Sequence, residues 1–177
     1  DEGSNLGAIR IRLRSLLFVM NHRKMTRVEH SKPYSYHKAV FTKEDKKTHT
    51  ILAPEMTPIH FPLFKAAFAH EGYKMELLPH QGQEAIDTGL SFIHNDACYP
   101  AIMSLGQIMT ALRSGKYDLN RTSVIISQTG GCCRATNYIG MLRKALADAN
   151  MPQIPIISLN TKGLNEQPGF KPSFGFW

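Results

Sequence analysis

The texture of apolar and polar positions changes near Thr50. Before it, the longest apolar run is Leu16–Met20, inside a short helix or strand predicted around Ile9–Met20. The polar stretch "RKMTRVEHSKPYSYHK" follows, then the charged "TKEDKKTHT", which reads as a linker or surface turn. After Thr50 the pattern becomes regular. "TILAPE" is a short apolar run stopped by Pro54, and "PIHFPLFKAAFAHEGY" carries Leu63, Phe64, Ala67 and Phe68 at helical spacing, with Gly72 as a C-terminal stop. "YKMELLP" reads as a strand, and "EAIDTGLSFI" as a helix or a helix leading into a short strand. "PAIMSLGQIMTALRSGKY" is a helix with Ile102, Leu105, Met109 and Leu112 on one stripe and Pro100 in its first turn.

The rhythm then repeats. "SVIIS" is a buried strand, "RATNYIGMLRKALADAN" a helix with Tyr138, Met141, Leu142, Ala145 and Ala149 on one face, and "IPIISLN" a last strand. Strands alternating with helices predict a parallel-sheet α/β domain with helices on both faces, a three-layer arrangement of the flavodoxin or Rossmann kind. The expected organisation is a basic N-terminal arm over 1–49, the α/β domain over 50–172 and a tail over 173–177. The C-terminal "TKGLNEQPGFKPSFGFW" is rich in Gly, Pro and aromatics without periodicity, so it is expected to wrap the surface or to meet a missing partner.

Charge sharpens that division. Of the net charge of +7, residues 1–49 contribute +6, from 11 Lys and Arg against 5 Asp and Glu, and residues 50–177 contribute +1, from 10 against 9. A basic arm can dock on an anionic surface, but no pattern of interleaved aromatic and basic residues accompanies it, so nucleic acid is not expected as a partner. The run Leu16–Met20 is far shorter than the roughly 20 residues that span a bilayer, and no small-residue cleavage site follows it. The expectation is a cytoplasmic protein without a membrane span.

Three cysteines, Cys98, Cys132 and Cys133, are an odd number, and vicinal cysteines bridge each other only with strain. The thiols therefore suggest ligands, reactive groups or core fillers in a reducing compartment. Ligands of open α/β sheets collect beyond the carboxyl ends of the strands. Cys132 and Cys133 fall there after "SVIIS", and Cys98 in "HNDACYP" precedes the helix near Pro100. A helix N-terminus favours thiolate, Gly130 and Gly131 let the backbone approach a bulky ligand, and Arg134 adds positive charge.

Several chemistries remain open on these residues. A structural zinc site wants four ligands, usually with C-x2-C pairs, and His80 and His94 lie at no recognisable spacing for one. A lone reactive cysteine, an iron–sulfur cluster held by thiolates among amide donors, or plain buried thiols are the other readings. "TGG" lacks the P-loop lysine and the three-glycine dinucleotide pattern.

The stretch "NDACYPAIMSLGQIMTALRSGKYDLNRTSVIISQTGGCCRATNYIGMLRKAL" resembles the 2-hydroxyacyl-CoA dehydratase-like domain of large bacterial CoA-substrate-specific enzyme activases, relatives of benzoyl-CoA reductase. The likeness extends through "ILAPEMTPIHFPLFKAAFAHEGY" and "IPIISLNTKGLNEQPGFK", roughly residues 50–172. What the resemblance implies is a 4Fe-4S cluster held by three cysteines from two α/β domains, an ATPase activator module that injects one electron, and an acyl-CoA substrate. It implies Cys98 and Cys133, separated by 34 residues, as cluster ligands. Gly130 and Gly131 would pack against the cluster, with Arg134 and Asn137 as nearby binding candidates. Cys132 stands where the resemblance leads us to expect a third glycine, and we read it as a bystander, with ligation as the alternative. The third ligand is expected from outside these residues, from a second α/β domain or the remainder of a larger polypeptide. Whether the chain is a catalyst or a non-catalytic scaffold is left open by the sequence.

Overall fold

The computed structural model describes residues 6–26, 38–79, 82–160 and 165–172. The chain forms two compact units, Asp1–Ser35 and Tyr36–Trp177. The described residues of the first form one helix, α1 (Leu6–Thr26), which runs beyond the Ile9–Met20 core expected for it. Leu6, Ile9, Leu13, Leu16 and Met20 recur at alternating spacings of three and four along one side, and all are exposed. The helix carries no acidic residue to offset Arg10, Arg12, Arg14, Arg23 and Lys24.

The second unit begins with α2 (Asp45–Thr48) and then alternates: β1 (Thr50–Pro54), α3 (His60–His70), β2 (Lys74–Leu78), α4 (Gly82–Phe92), α5 (Tyr99–Arg113), β3 (Thr122–Ser127), α6 (Tyr138–Asp148) and β4 (Ile156–Leu159). All four strands are parallel in the order β2-β1-β3-β4, with Thr50 opposite both Lys74 and Thr122, and Val124 opposite Ile156. The parallel-sheet, three-layer α/β fold is thus present.

Strand alternation divides the core into two layers. Leu52, Leu78, Val124, Ile126 and Ile156 face α5 and α6, while Ile51, Ala53, Met75, Ile125 and Ile157 face Phe68 of α3 and the fully buried Phe41. The β1-to-β2 connection lies on one face and the later connections on the other. The strand order therefore reverses between β1 and β3, the switch point at which α/β sheets open a crevice.

Two segments differ from the sequence reading. The charged run over 42–50 is not a free linker, because α2 is pinned to the sheet. Asp45 accepts from the Thr42 backbone N–H at 2.7 Å and pairs with His49 Nε2 at 3.2 Å, and His49 Nδ1 meets Ser123 Oγ at 2.8 Å. The described part of the C-terminal stretch is not a surface wrap either. Gln167 is buried, accepts from the Phe41 N–H at 2.9 Å and donates to the Ile156 and Ala39 carbonyls, and Phe170 packs on Phe68 and Tyr73. Gly169 passes so close to the Thr42 carbonyl that a Cβ would collide with it. These residues thus tie the segment before β1 to the edge strand β4.

"EAIDTGLSFI" is helical up to Phe92, with no strand after it, and α4 forms an antiparallel hairpin with α5. Gly106 lies against the Ala85 carbonyl and Gly89 against that of Ile102, an approach that leaves no room for a side chain at either glycine. That contact, with the sheet and α6 on its other sides, buries α5 on nearly every side, well beyond the stripe read from its periodicity.

Candidate functional site

The site forms where two segments meet at the carboxyl edge of the sheet. Cys98 is the N-cap of α5, in extended backbone, and Pro100 opens the helix as the sequence predicted. Its carbonyl accepts from the Ala101 and Ile102 N–H groups. Cys133 caps a turn of 3-10 helix, Arg134–Asn137, that leads into α6 and replaces the first turn of the continuous helix expected from Arg134 onward. Its sulfur accepts from the Ala135 N–H at 3.5 Å, a long contact of the kind sulfur makes.

Tyr138 joins the two segments. Its ring is buried in the layer formed by α5 and α6, and its hydroxyl lies 3.2 Å from Cys98 Sγ. The Arg134 guanidinium donates to the Asp96 carbonyl, two residues before Cys98, so a second hydrogen bond clasps the same two segments. The electrostatics agree with the geometry. The Tyr138 hydroxyl holds the Cys98 thiol below its ordinary range by bonding to the thiolate, against a smaller opposing effect of burial, and nearby backbone N–H groups and the Arg134 charge help. Burial first, and then its bond to Cys98 and the charges of Cys98 and Cys133, push the Tyr138 hydroxyl far above its ordinary range.

The loop from β3 is held by its own polar side chains. Gln128 donates to the Thr136 carbonyl at 2.8 Å and accepts from Ser158 Oγ at 2.9 Å. The Thr136 hydroxyl donates to the Gly131 carbonyl at 2.8 Å and meets the Thr129 hydroxyl. Gln128 and Thr129 thus staple the loop. Gly130 has φ +68°, which side-chain-bearing residues adopt only with strain, whereas a Cβ at Gly131 would meet open space. Cys132 and Cys133 are exposed and Cys98 is partly so; all three are free thiols. Asn137 is exposed, and its carboxamide lies against Gly140 one turn on.

His94 sits in the loop before Cys98, exposed and paired with Asp96 at 3.3 Å. His80 lies outside the described residues. Among the described residues, no group of three or more His, Cys, Asp or Glu side chains is arranged to hold a metal ion. What the site offers is two thiols, Cys98 and Cys133, on joined segments, the first beside a hydroxyl and the second beside an amide donor. Beside them, Phe92, Ile93, Ala97 and Met141 wall an open cleft of about 560 Å³ edged by His94, Asp96, Arg134 and Lys144, the last paired with Asp148.

Sequence reasoning paired Cys98 with Cys133 but left Tyr138 as a core residue on an apolar face. The available signal was a polar tip on that stripe, five residues after Cys133 at the start of a helix. Comparison with protein-family models, curated proteins and solved structures finds no match to this chain. Among the described residues, no helix is long and apolar enough to cross a membrane.

Proposed function

We propose that this chain is an iron–sulfur domain of the 2-hydroxyacyl-CoA dehydratase and activase type, taking part in ATP-driven electron transfer to acyl-CoA chemistry and incomplete without a partner domain. The observation that carries the reading is that the Cys98 and Cys133 segments are joined to each other, by the contact of the Tyr138 hydroxyl with Cys98 Sγ at 3.2 Å and by the hydrogen bond from Arg134 to the Asp96 carbonyl. Thiolates flanked by N–H and O–H donors are the usual environment of such clusters.

In this reading Cys98 and Cys133 bind iron through sulfur. The Ala135 N–H and the Tyr138 hydroxyl stabilise negative charge on those sulfurs, and Arg134 keeps the Cys98 segment in reach by holding the Asp96 carbonyl. The Gly130–Gly131 turn keeps side chains away from the approach. A bound 4Fe-4S cluster supplies one-electron transfer. The open cleft near Cys98 offers an apolar wall that suits the acyl chain of a thioester, with a mixed edge of His94, Asp96, Arg134 and Lys144. The third thiolate and the ATPase activator come from a second α/β domain or from further polypeptide.

The test is anaerobic loading with iron and sulfide, in parallel with zinc, in the presence of a small dithiol that can fill the open ligand positions. The reading expects a brown protein with broad visible absorption. Stoichiometric zinc with no uptake of iron would sink it.

A further inference from the structure

Every large apolar side chain of α1 faces solvent, and even the least exposed of them, Ile9, is 43 % exposed. At about 100° per residue, Leu6, Ile9, Leu13, Leu16, Leu17 and Met20 fall on one stripe of the helix. Arg10 projects at one border of that stripe and Arg23 at the other, with Arg14 beyond Arg10 and Lys24 in the last turn. Ile11, Phe18 and Val19 lie on the far side, so the helix is not wholly polar there, and what sets the stripe apart is its cationic borders. An exposed apolar surface of this extent marks a site of association.

The occupant has to take the apolar stripe and the cations beside it together. A second copy of α1 would bring like charges together, since the helix holds no acidic residue. A nucleic-acid backbone would meet the cations and leave the leucines in water. An anionic lipid surface satisfies both. Its acyl boundary takes the stripe, while arginine and lysine side chains reach back from a half-sunk helix to the headgroup phosphates. We propose that α1 is a peripheral anchor, lying in the plane of an anionic phospholipid bilayer along its roughly 32 Å length, with the Leu13–Leu16 side inward. The cations among its apolar residues keep it on the surface rather than across the bilayer.

The test is co-sedimentation of the full chain with vesicles of phosphatidylcholine alone or mixed with phosphatidylglycerol. Binding is expected to the mixed vesicles and not to the neutral ones. It is expected to fall when salt is raised from 0.1 to 1 M, which shortens the screening length from about 10 to about 3 Å. Arg10→Gln should weaken binding roughly fivefold, and Leu13→Asn roughly tenfold or more. Ile11→Asn, a comparable loss of helix propensity on the far side, should leave binding unchanged, so the pair separates a buried stripe from a damaged helix. Absence of binding to the mixed vesicles, equal binding to neutral ones, or capture by polyglutamate without capture by vesicles overturns the inference. Equal losses for Ile11→Asn and Leu13→Asn overturn it as well.

Discussion

Cys98 is the residue whose chemistry the fold alters most plainly. Its thiol lies below the ordinary range because the Tyr138 hydroxyl bonds to the thiolate. A thiol depressed in the folded state relative to the unfolded chain contributes stability above the ordinary thiol pKa of about 8.5, and that contribution fades as pH falls through the lowered folded value. Alkylation of Cys98 by iodoacetamide, followed by peptide mass spectrometry, should therefore half-saturate at lower pH than for an ordinary thiol, and Tyr138→Phe should move that half-point upward. An unchanged profile would mean that the hydroxyl does not act on the sulfur. Gly130 offers a second residue-scale prediction. Gly130→Ala forces a Cβ into a left-handed conformation and should cost roughly 1–2 kcal/mol, measured by urea unfolding, whereas Gly131→Ala, with open space around it, should cost much less. The thiols and glycines were legible in the sequence because residue identity and loop position carry the signal. Tyr138 was not, because its apolar neighbours Leu142 and Ala145 mark it as core, and the sulfur it meets lies 40 residues away.

At the scale of elements, the strands and most helices follow from local patterning. "SVIIS" and "IPIISLN" are short apolar runs that can be buried on both faces only within a sheet, and they became β3 and β4. What periodicity missed is contact between elements. The α4–α5 hairpin depends on two glycines, Gly89 and Gly106, whose lack of side chains lets one helix rest on the other's carbonyls. Nothing in the helical stripe of Ile102, Leu105, Met109 and Leu112 announces that approach. Gly106→Ala improves intrinsic helix propensity by about 1 kcal/mol, yet it should destabilise the protein on balance, because overpacking typically costs about 1–3 kcal/mol and backbone is what has to move. A rise in the urea midpoint would show that the hairpin is looser than described. Because α5 also carries Cys98 at its N-cap, the same substitution should slow iron uptake.

For the whole molecule, the division of the chain was only partly legible. Charge and texture placed a basic arm over 1–49, but Phe41, His49 and Asp45 are built into the α/β body, and Gln167 binds the Phe41 N–H across 126 residues. Such long-range hydrogen bonds have no local signature, so a polar, Pro- and Gly-rich stretch reads as a loop whether or not it is anchored. Gln167→Leu would leave the Phe41 N–H and two backbone carbonyls without this partner, and it should destabilise the body by about 1–3 kcal/mol or more in urea unfolding.

The central claim is that Cys98 and Cys133 share one iron–sulfur cluster. The most direct measurement is iron and acid-labile sulfide per chain after anaerobic loading, taken side by side for the wild-type protein and for Cys98→Ala, Cys133→Ala and Cys132→Ala. The account predicts that the wild-type and Cys132→Ala proteins load alike, while Cys98→Ala and Cys133→Ala each lose the iron and the sulfide together. Equal loading of all four proteins, or loss only in Cys132→Ala, would contradict it.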